Sequence, residues 1–255
     1  MSRPWTPIQL QRTNGQAPIV LICEHASPYI PDDFDFPGIG KIDPSSHAVW
    51  DIGALRMAQS LSTELDAPLV SCGTSRSLYD CNRPFSAKDC IPAKSEEIAF
   101  PGNEQLTEHE RKTRRRLIHD LFHSAVEGLI ENQVERVDSP VAVITLHSFT
   151  PVYYGRPREV EIGFLYHGNP TLSEAACRVE RINDRYNVAL NAPYGKEDGV
   201  TYSICRHADS NRLHSTMIEV RNDLIRTDDQ AANMGCHLAS TLREAIAHLD
   251  KTRAA

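Results

Sequence analysis

The run Val141-Ala142-Val143-Ile144-Thr145-Leu146, followed at once by His147-Ser148-Phe149-Thr150-Pro151, decides the fold class. An unbroken apolar and β-branched stretch of this length reads as a strand buried on both faces, the condition of a parallel sheet covered by helices. A buried strand that stops on a histidine and turns aims the imidazole into the crevice beyond the sheet's carboxyl edge. The same grammar occurs twice more. Ile19-Val20-Leu21-Ile22-Cys23 runs into Glu24-His25-Ala26-Ser27-Pro28, and His214-Ser215-Thr216-Met217-Ile218 runs into Glu219-Val220-Arg221-Asn222-Asp223. Three strand ends thus point two histidines and a carboxylate toward one place, as expected of an enzyme and of a metal-dependent one.

Outward from these strands, helix and strand patterns alternate. The first strand, residues 18–23, leads into a loop rich in proline and aspartate through Pro28, Pro31, Asp32, Asp33 and Pro37. Apolar residues at Ile52, Leu55, Met57, Ala58, Leu61 and Leu65 give a helical period over about 47–65, and Leu69-Val70-Ser71-Cys72 reads as a short strand. Residues 73–103 form a long irregular segment of the kind that is usually functional or disordered. Thr107-Glu108-His109-Glu110 fits a capping box that opens a helix to about residue 132. Strands follow at about 161–166 and 216–220, a short segment near 188–190, and helices at about 172–186 and 227–248. This order predicts an α/β fold: one domain over 1–255, a mostly parallel doubly wound sheet flanked by helices, with residues 1–16 as a loosely held lead-in.

Bulk properties narrow the function. Forty per cent hydrophobic residues in a chain of 255 allow a sizeable core. No apolar stretch approaches the roughly 18–20 residues that span a bilayer, so no membrane partner is expected. Met1-Ser2-Arg3-Pro4-Trp5 lacks the apolar region of a secretory signal. A net charge of −7 argues against nucleic-acid binding. Seven cysteines without a C-x-x-C pair read as reduced thiols in a cytoplasm, with Cys23, Cys72 and Cys205 as small core residues. There is no G-x-S-x-G elbow and no glycine-rich phosphate loop.

A catalytic metal site needs three protein ligands and an open position. His25 and His147 are two candidates, and Asp51 is the chosen third, since an inward acid there is costly unless paired. Glu24 and His47 are its rivals. Glu24 adjoins His25 on extended backbone and should face away, whereas His47 lies four residues before Asp51 on the expected helix. Glu219 is the candidate general base, set against a purely structural ion pair with Arg221 two residues on. Arg76, Asn82 and Arg83 share one loop and suit a carboxylate, set against a solvated Asp80–Arg83 pair. The basic run Arg111-Lys112-Thr113-Arg114-Arg115-Arg116 reads as a solvated helix face.

Taken together, Ile22-Cys23-Glu24-His25-Ala26-Ser27, Trp50-Asp51-Ile52-Gly53-Ala54, Asp80-Cys81-Asn82-Arg83-Pro84, Leu146-His147-Ser148-Phe149-Thr150-Pro151 and Ile218-Glu219-Val220-Arg221-Asn222-Asp223-Leu224-Ile225 resemble the N-formylglutamate amidohydrolase family, over about residues 18–226. The resemblance implies kinship with zinc carboxypeptidases and the aspartoacylase group, hence a zinc-carboxypeptidase-like fold and a divalent metal, zinc or cobalt. Aspartoacylases hold zinc through an H-x-x-E motif and a later histidine. His25 and His147 carry over, but Pro28 stands three residues after His25, so the middle ligand is open among Asp51, Glu24 and His47. The family's carboxylate-gripping pair resembles Asn82-Arg83, with Arg76 beside it, and its catalytic glutamate resembles Glu219. Arg221 is expected to steady a carboxylate or Glu219. The implied reaction takes N-formyl-L-glutamate to formate and L-glutamate, with a small acidic N-acyl amino acid as the partner. The alternatives are a related amidase or carboxypeptidase-like hydrolase, and a small-molecule binding protein without turnover.

Overall fold

The apolar run beginning at Val141 becomes the middle strand of a seven-stranded sheet. The structure, a computed structural model, describes residues 5–254 apart from 33, 35–37, 39–41 and 96, with side chains through residue 249. Asp33 and Pro37 of the proline-rich loop lie outside the described residues.

In chain order the strands are β1 (Ile8–Gln11), β2 (Ile19–Cys23), β3 (Leu69–Cys72), β4 (Lys94–Ser95), β5 (Ile98–Ala99), β6 (Ala142–Phe149), β7 (Val152–Tyr153), β8 (Arg156–Pro157), β9 (Ile162–Leu165), β10 (Val188–Leu190) and β11 (His214–Arg221). The helices are α1 (Ala54–Leu65), α2 (Glu108–Arg114), α3 (Leu121–Arg136), α4 (Thr171–Asn183), α5 (Tyr202–His207) and α6 (Asp228–Ala254). The main sheet runs β1-β3-β2-β6-β11-β9-β10, while β4-β5 and β7-β8 are separate ribbons. Strands β3, β2, β6 and β11 are mutually parallel. β9 runs antiparallel to β11 with β10 parallel to it, and β1 runs antiparallel to β3. The expected mostly parallel α/β sheet is therefore the fold.

Side chains alternate across β2 and show why its run is apolar throughout. Ile19, Leu21 and Cys23 pack into one core with α1, α4 and α6. Val20 and Ile22 pack into another with α3 and the 73–103 segment. From β2 the chain passes through α1 to β3 on one side, and then through α2 and α3 to β6 on the other. That reversal is a topological switch point, and the carboxyl ends of β2 and β6 flank its crevice.

Several boundaries differ from expectation. Residues 8–11 of the supposed lead-in form the edge strand β1, in register with β3. Helix α1 starts at Ala54, because Gly53 has φ 80° and a Cβ there would stand 2.2 Å from the Ile225 carbonyl oxygen. His47 and Asp51 therefore precede the helix on a turn. β6 continues through Phe149, so His147 lies within the strand. The Thr107–Glu110 capping box forms, but the long helix it opens is interrupted by a π-helical stretch over Arg115–Asp120. Arg114 departs from the solvated face: it is buried and donates to the carbonyls of Leu78 and Gly102 and to Asn103 Oδ1. It braces the 73–103 segment. The seven cysteines are free, and no helix among the described residues is long and apolar enough to cross a membrane.

Candidate active site

β2 ends at Cys23, and the turn after it, freed from strand alternation, brings both Glu24 and His25 inward. The Asp51 turn is fastened to it, since Asp51 N donates to the His25 carbonyl at 2.9 Å. Arg76 N donates to the Val49 carbonyl at 3.1 Å, tying the loop after β3 to the same turn. On the other side of the switch point His147 and Glu219 are register partners on β6 and β11. Four segments distant in sequence are thus laced around one point.

At that point Asp51 Oδ2 lies 2.9 Å from His147 Nδ1 and 3.2 Å from His25 Nδ1. The far nitrogen of each ring faces another buried carboxylate. His25 Nε2 is 2.7 Å from Asp80 Oδ1, and His147 Nε2 is 3.1 Å from Glu24 Oε2. Arg76 Nη1 donates to Asp51 Oδ1 at 2.9 Å and lies 3.4 Å from His25 Nδ1. His47 Nδ1 stands 3.7 Å from Asp51 Oδ1.

This arrangement fits a cation. With His25 donating from Nε2 to Asp80 and the Nε2 of His147 facing Glu24, two neutral rings turn their Nδ1 lone pairs toward an aspartate oxygen, which is also an acceptor. Either the rings take up protons or a positive ion lies among the three. One ligand atom from each of His25, Asp51 and His147 lies within 4.8 Å of the others, and all three residues are buried. Nitrogen and oxygen donors of this kind suit a borderline divalent ion, and a carboxylate behind each imidazole is the usual support of a histidine ligand.

The electrostatics follow from burial and crowding. Burial favours the neutral ring of His147, but Glu24 and Asp51 outweigh it and hold the pKa well above the usual histidine value. His25 is raised in the same sense, with Asp80 and Asp51 overcoming burial and Arg76. Asp51 stays far below the ordinary carboxylate range despite burial, because His25, His147 and Arg76 surround it. His47 is pushed down to about 4 by burial, which Asp51 only partly offsets. Glu219 goes the other way: burial pushes it up to about 7 against the pull of His147, with Asp51 adding to the rise. Its Oε2 is buried without a hydrogen-bond partner.

A cavity of about 590 Å³ opens here and includes His25, Asp51, His147 and Glu219 in its wall, with Arg76, Asn82 and Arg83. The amide of Asn82 is already occupied: Nδ2 donates to the Val200 carbonyl, and Oδ1 accepts from Ser203 N at 3.0 Å. Arg83 does not pair with Asp80. Its Nε donates to Asp89 at 2.7 Å, and its Nη1 to the carbonyls of Asn82 and Gly199. Arg221 is not brought to the cavity, which corrects the expectation for that residue. It is the last residue of β11, and Asp223 and Glu161 claim its guanidinium at 2.8 and 3.2 Å. Glu24, expected to face away, instead backs His147.

Sequence reasoning passed over Asp80, which it placed in a surface ion pair, although the Asp80-Cys81-Asn82-Arg83-Pro84 motif marked the loop. Arg158 and Tyr194 also line the cavity. They come from irregular segments, where no periodicity or strand end signals them.

The pattern of the family described as N-formylglutamate amidohydrolase matches residues 17–226. Among solved structures, a gene product of Agrobacterium tumefaciens is 37% identical with a TM-score of 0.91, over 96% of this chain and 97% of that one. An N-formylglutamate amidohydrolase from Ralstonia eutropha JMP134 shares the fold at 21% identity and a TM-score of 0.68, over 94% and 97% of the two chains. No curated protein matches the chain.

Proposed function

We propose, since the chain belongs to the N-formylglutamate amidohydrolase family, that it is a metal-dependent amidohydrolase of N-acylated acidic amino acids, taking N-formyl-L-glutamate and water to formate and L-glutamate. The observation that carries this reading is Glu219: a buried carboxylate with an unpartnered oxygen, poised near neutrality, in one cavity with the His25-Asp51-His147 group.

His25, Asp51 and His147 would hold the ion, with Asp80 and Glu24 orienting the two rings. A divalent ion there, zinc or cobalt, supplies Lewis acidity that polarises the acyl carbonyl and acidifies water. Glu219 takes a proton from the attacking water and returns it to the leaving nitrogen as the C–N bond breaks, the double duty suited to a carboxyl with a pKa near 7. Arg76 and Arg83 stand in the cavity wall, already paired with Asp51 and Asp89, and offer their remaining N–H donors to a substrate carboxylate. Asn82 supports the 200–203 segment beside it.

The test is formate release from N-formyl-L-glutamate by purified protein, stripped of metal and reloaded with zinc or cobalt. Activity should vanish with the chelator and return with the ion. Turnover that survives complete stripping would remove the metal from the mechanism. A metal-loaded protein that releases no formate would point to another acyl group.

A further inference from the structure

The guanidiniums of the cavity differ in what neutralises them. Arg76 is paired with Asp51 at 2.9 Å, and Arg83 with Asp89 at 2.7 Å. Arg156 and Arg158 line the same cavity without an ion pair among the described residues, but Arg156 is exposed on β8 whereas the cavity holds a half-buried Arg158. Its Nη1 donates to the Tyr194 hydroxyl at 3.0 Å and to the Thr150 carbonyl at 3.3 Å. Its guanidinium carbon lies 4.5, 4.8 and 5.4 Å from the ring centroids of Tyr153, Tyr194 and Phe149. Aromatic faces stabilise and orient a cation without cancelling its charge.

The backbone fixes this position. The β7-β8 ribbon hangs from the end of β6, with Thr150 and Pro151 between, and is closed by Arg158 N donating to the Pro151 carbonyl at 2.8 Å. Tyr194 accepts from Arg158, so its own proton is available to a second acceptor. Burial and nearby Glu219 push that hydroxyl up to about 12, which keeps it a donor at neutral pH.

An N-acylated acidic amino acid carries two carboxylates. The α-carboxylate adjoins the scissile amide, and Arg76, touching Asp51 and 3.4 Å from His25, stands beside that centre. The side-chain carboxylate lies further along the substrate and needs a second cation. We propose that Arg158, with the Tyr194 hydroxyl, is the specificity-determining contact that takes this side-chain carboxylate. The assignment rests on the acidic-substrate reading above.

The test separates binding from turnover. Glutarate, a dicarboxylate that cannot react, is titrated calorimetrically into the metal-loaded wild type and into Arg158→Ala, Arg158→Lys and Tyr194→Phe. The dissociation constant should rise at least ~10-fold in Arg158→Ala, less in Tyr194→Phe, and be partly restored in Arg158→Lys. In the formate assay Arg158→Ala should raise KM for N-formyl-L-glutamate by a similar factor with kcat within about threefold, and barely alter kcat/KM for N-formyl-L-glutamine. Equal glutarate affinity in wild type and Arg158→Ala, absence of glutarate binding to wild type, or equal losses on the glutamate and glutamine substrates would overturn the assignment. Wild type that binds glutarate through Arg158 yet releases no formate would overturn the reaction and leave Arg158 in place.

Discussion

At the scale of single residues, the proposed chemistry rests on two groups of opposite tendency. Asp51 is kept ionised by the cations around it, while Glu219 is pushed toward neutrality by burial. Environments that drive two carboxyls apart in this way separate a ligand from an acid–base catalyst. Glu219→Gln keeps the shape and removes the titrating oxygen. It should lower kcat at least ~10²-fold while metal content, measured by atomic absorption, stays at the wild-type level. Wild-type turnover in that variant would dismiss Glu219 from the mechanism. His25, His147 and Glu219 were legible before the fold because each sits at or near the end of a buried strand. Asp80 and Glu24 were not, because their placement depends on which imidazole nitrogen faces inward, and that is settled only by tertiary packing. Arg158 shows the same limit, since its cage is assembled from Phe149, Tyr153 and Tyr194.

At the scale of elements, reading from sequence succeeded where burial is symmetric. β2, β3, β6 and β11 carry apolar runs because both faces of the sheet are covered. β1 was missed because Ile8-Gln9-Leu10-Gln11 is a short edge strand with only one covered side, too brief for alternation to stand out. The start of α1 was misplaced because Trp50-Asp51-Ile52 continues a helical pattern that Gly53 ends by adopting a left-handed conformation. Glycine also sets how closely helices pack. A Cβ at Gly235 of α6 would lie 2.6 Å from the Met57 carbonyl oxygen and 2.7 Å from the Ser60 Cβ of α1. Gly235→Ala gains helix propensity of about 1 kcal/mol but forces α6 off α1. Overpacking of that kind costs about 1–3 kcal/mol, a net loss of up to about 2 kcal/mol after the propensity gain, so the melting temperature should fall by a few degrees. A thermal melt that shifts upward would mean the two helices have room to part.

At the scale of the whole molecule, the Asp80–Arg83 loop is anchored to a buried histidine pair whose ionisation couples to folding. His123 Nε2 donates to the Cys81 carbonyl at 2.9 Å, inside the Asp80–Arg83 loop, and its Nδ1 lies 2.6 Å from His207 Nε2. Burial keeps both rings neutral at pH 7, so with Nε2 committed as a donor Nδ1 accepts and His207 donates. Burial lowers His207 to about 4, with Arg206 adding and Glu127 opposing. His123 is held well below its usual value by burial and by His119 and His207. In the unfolded chain both rings take up protons near pH 6.5. Between that pH and about 4 the unfolded state therefore binds protons that the folded state refuses, so stability falls as the pH is lowered. The slope is about 1.4 kcal/mol per pH unit for each ring, and the stabilisation is fully present only above pH 6.5. Urea unfolding at pH 7, 6 and 5 should show a steep acid loss in the wild type and a slope smaller by about that amount in His207→Gln, whose amide can still donate to His123. His123 stays low through burial and His119, and the remaining ionisable groups are common to both proteins, so the difference reports chiefly His207. Matching slopes would mean that His207 titrates freely in the folded state and that its contact with His123 is not built on neutral rings.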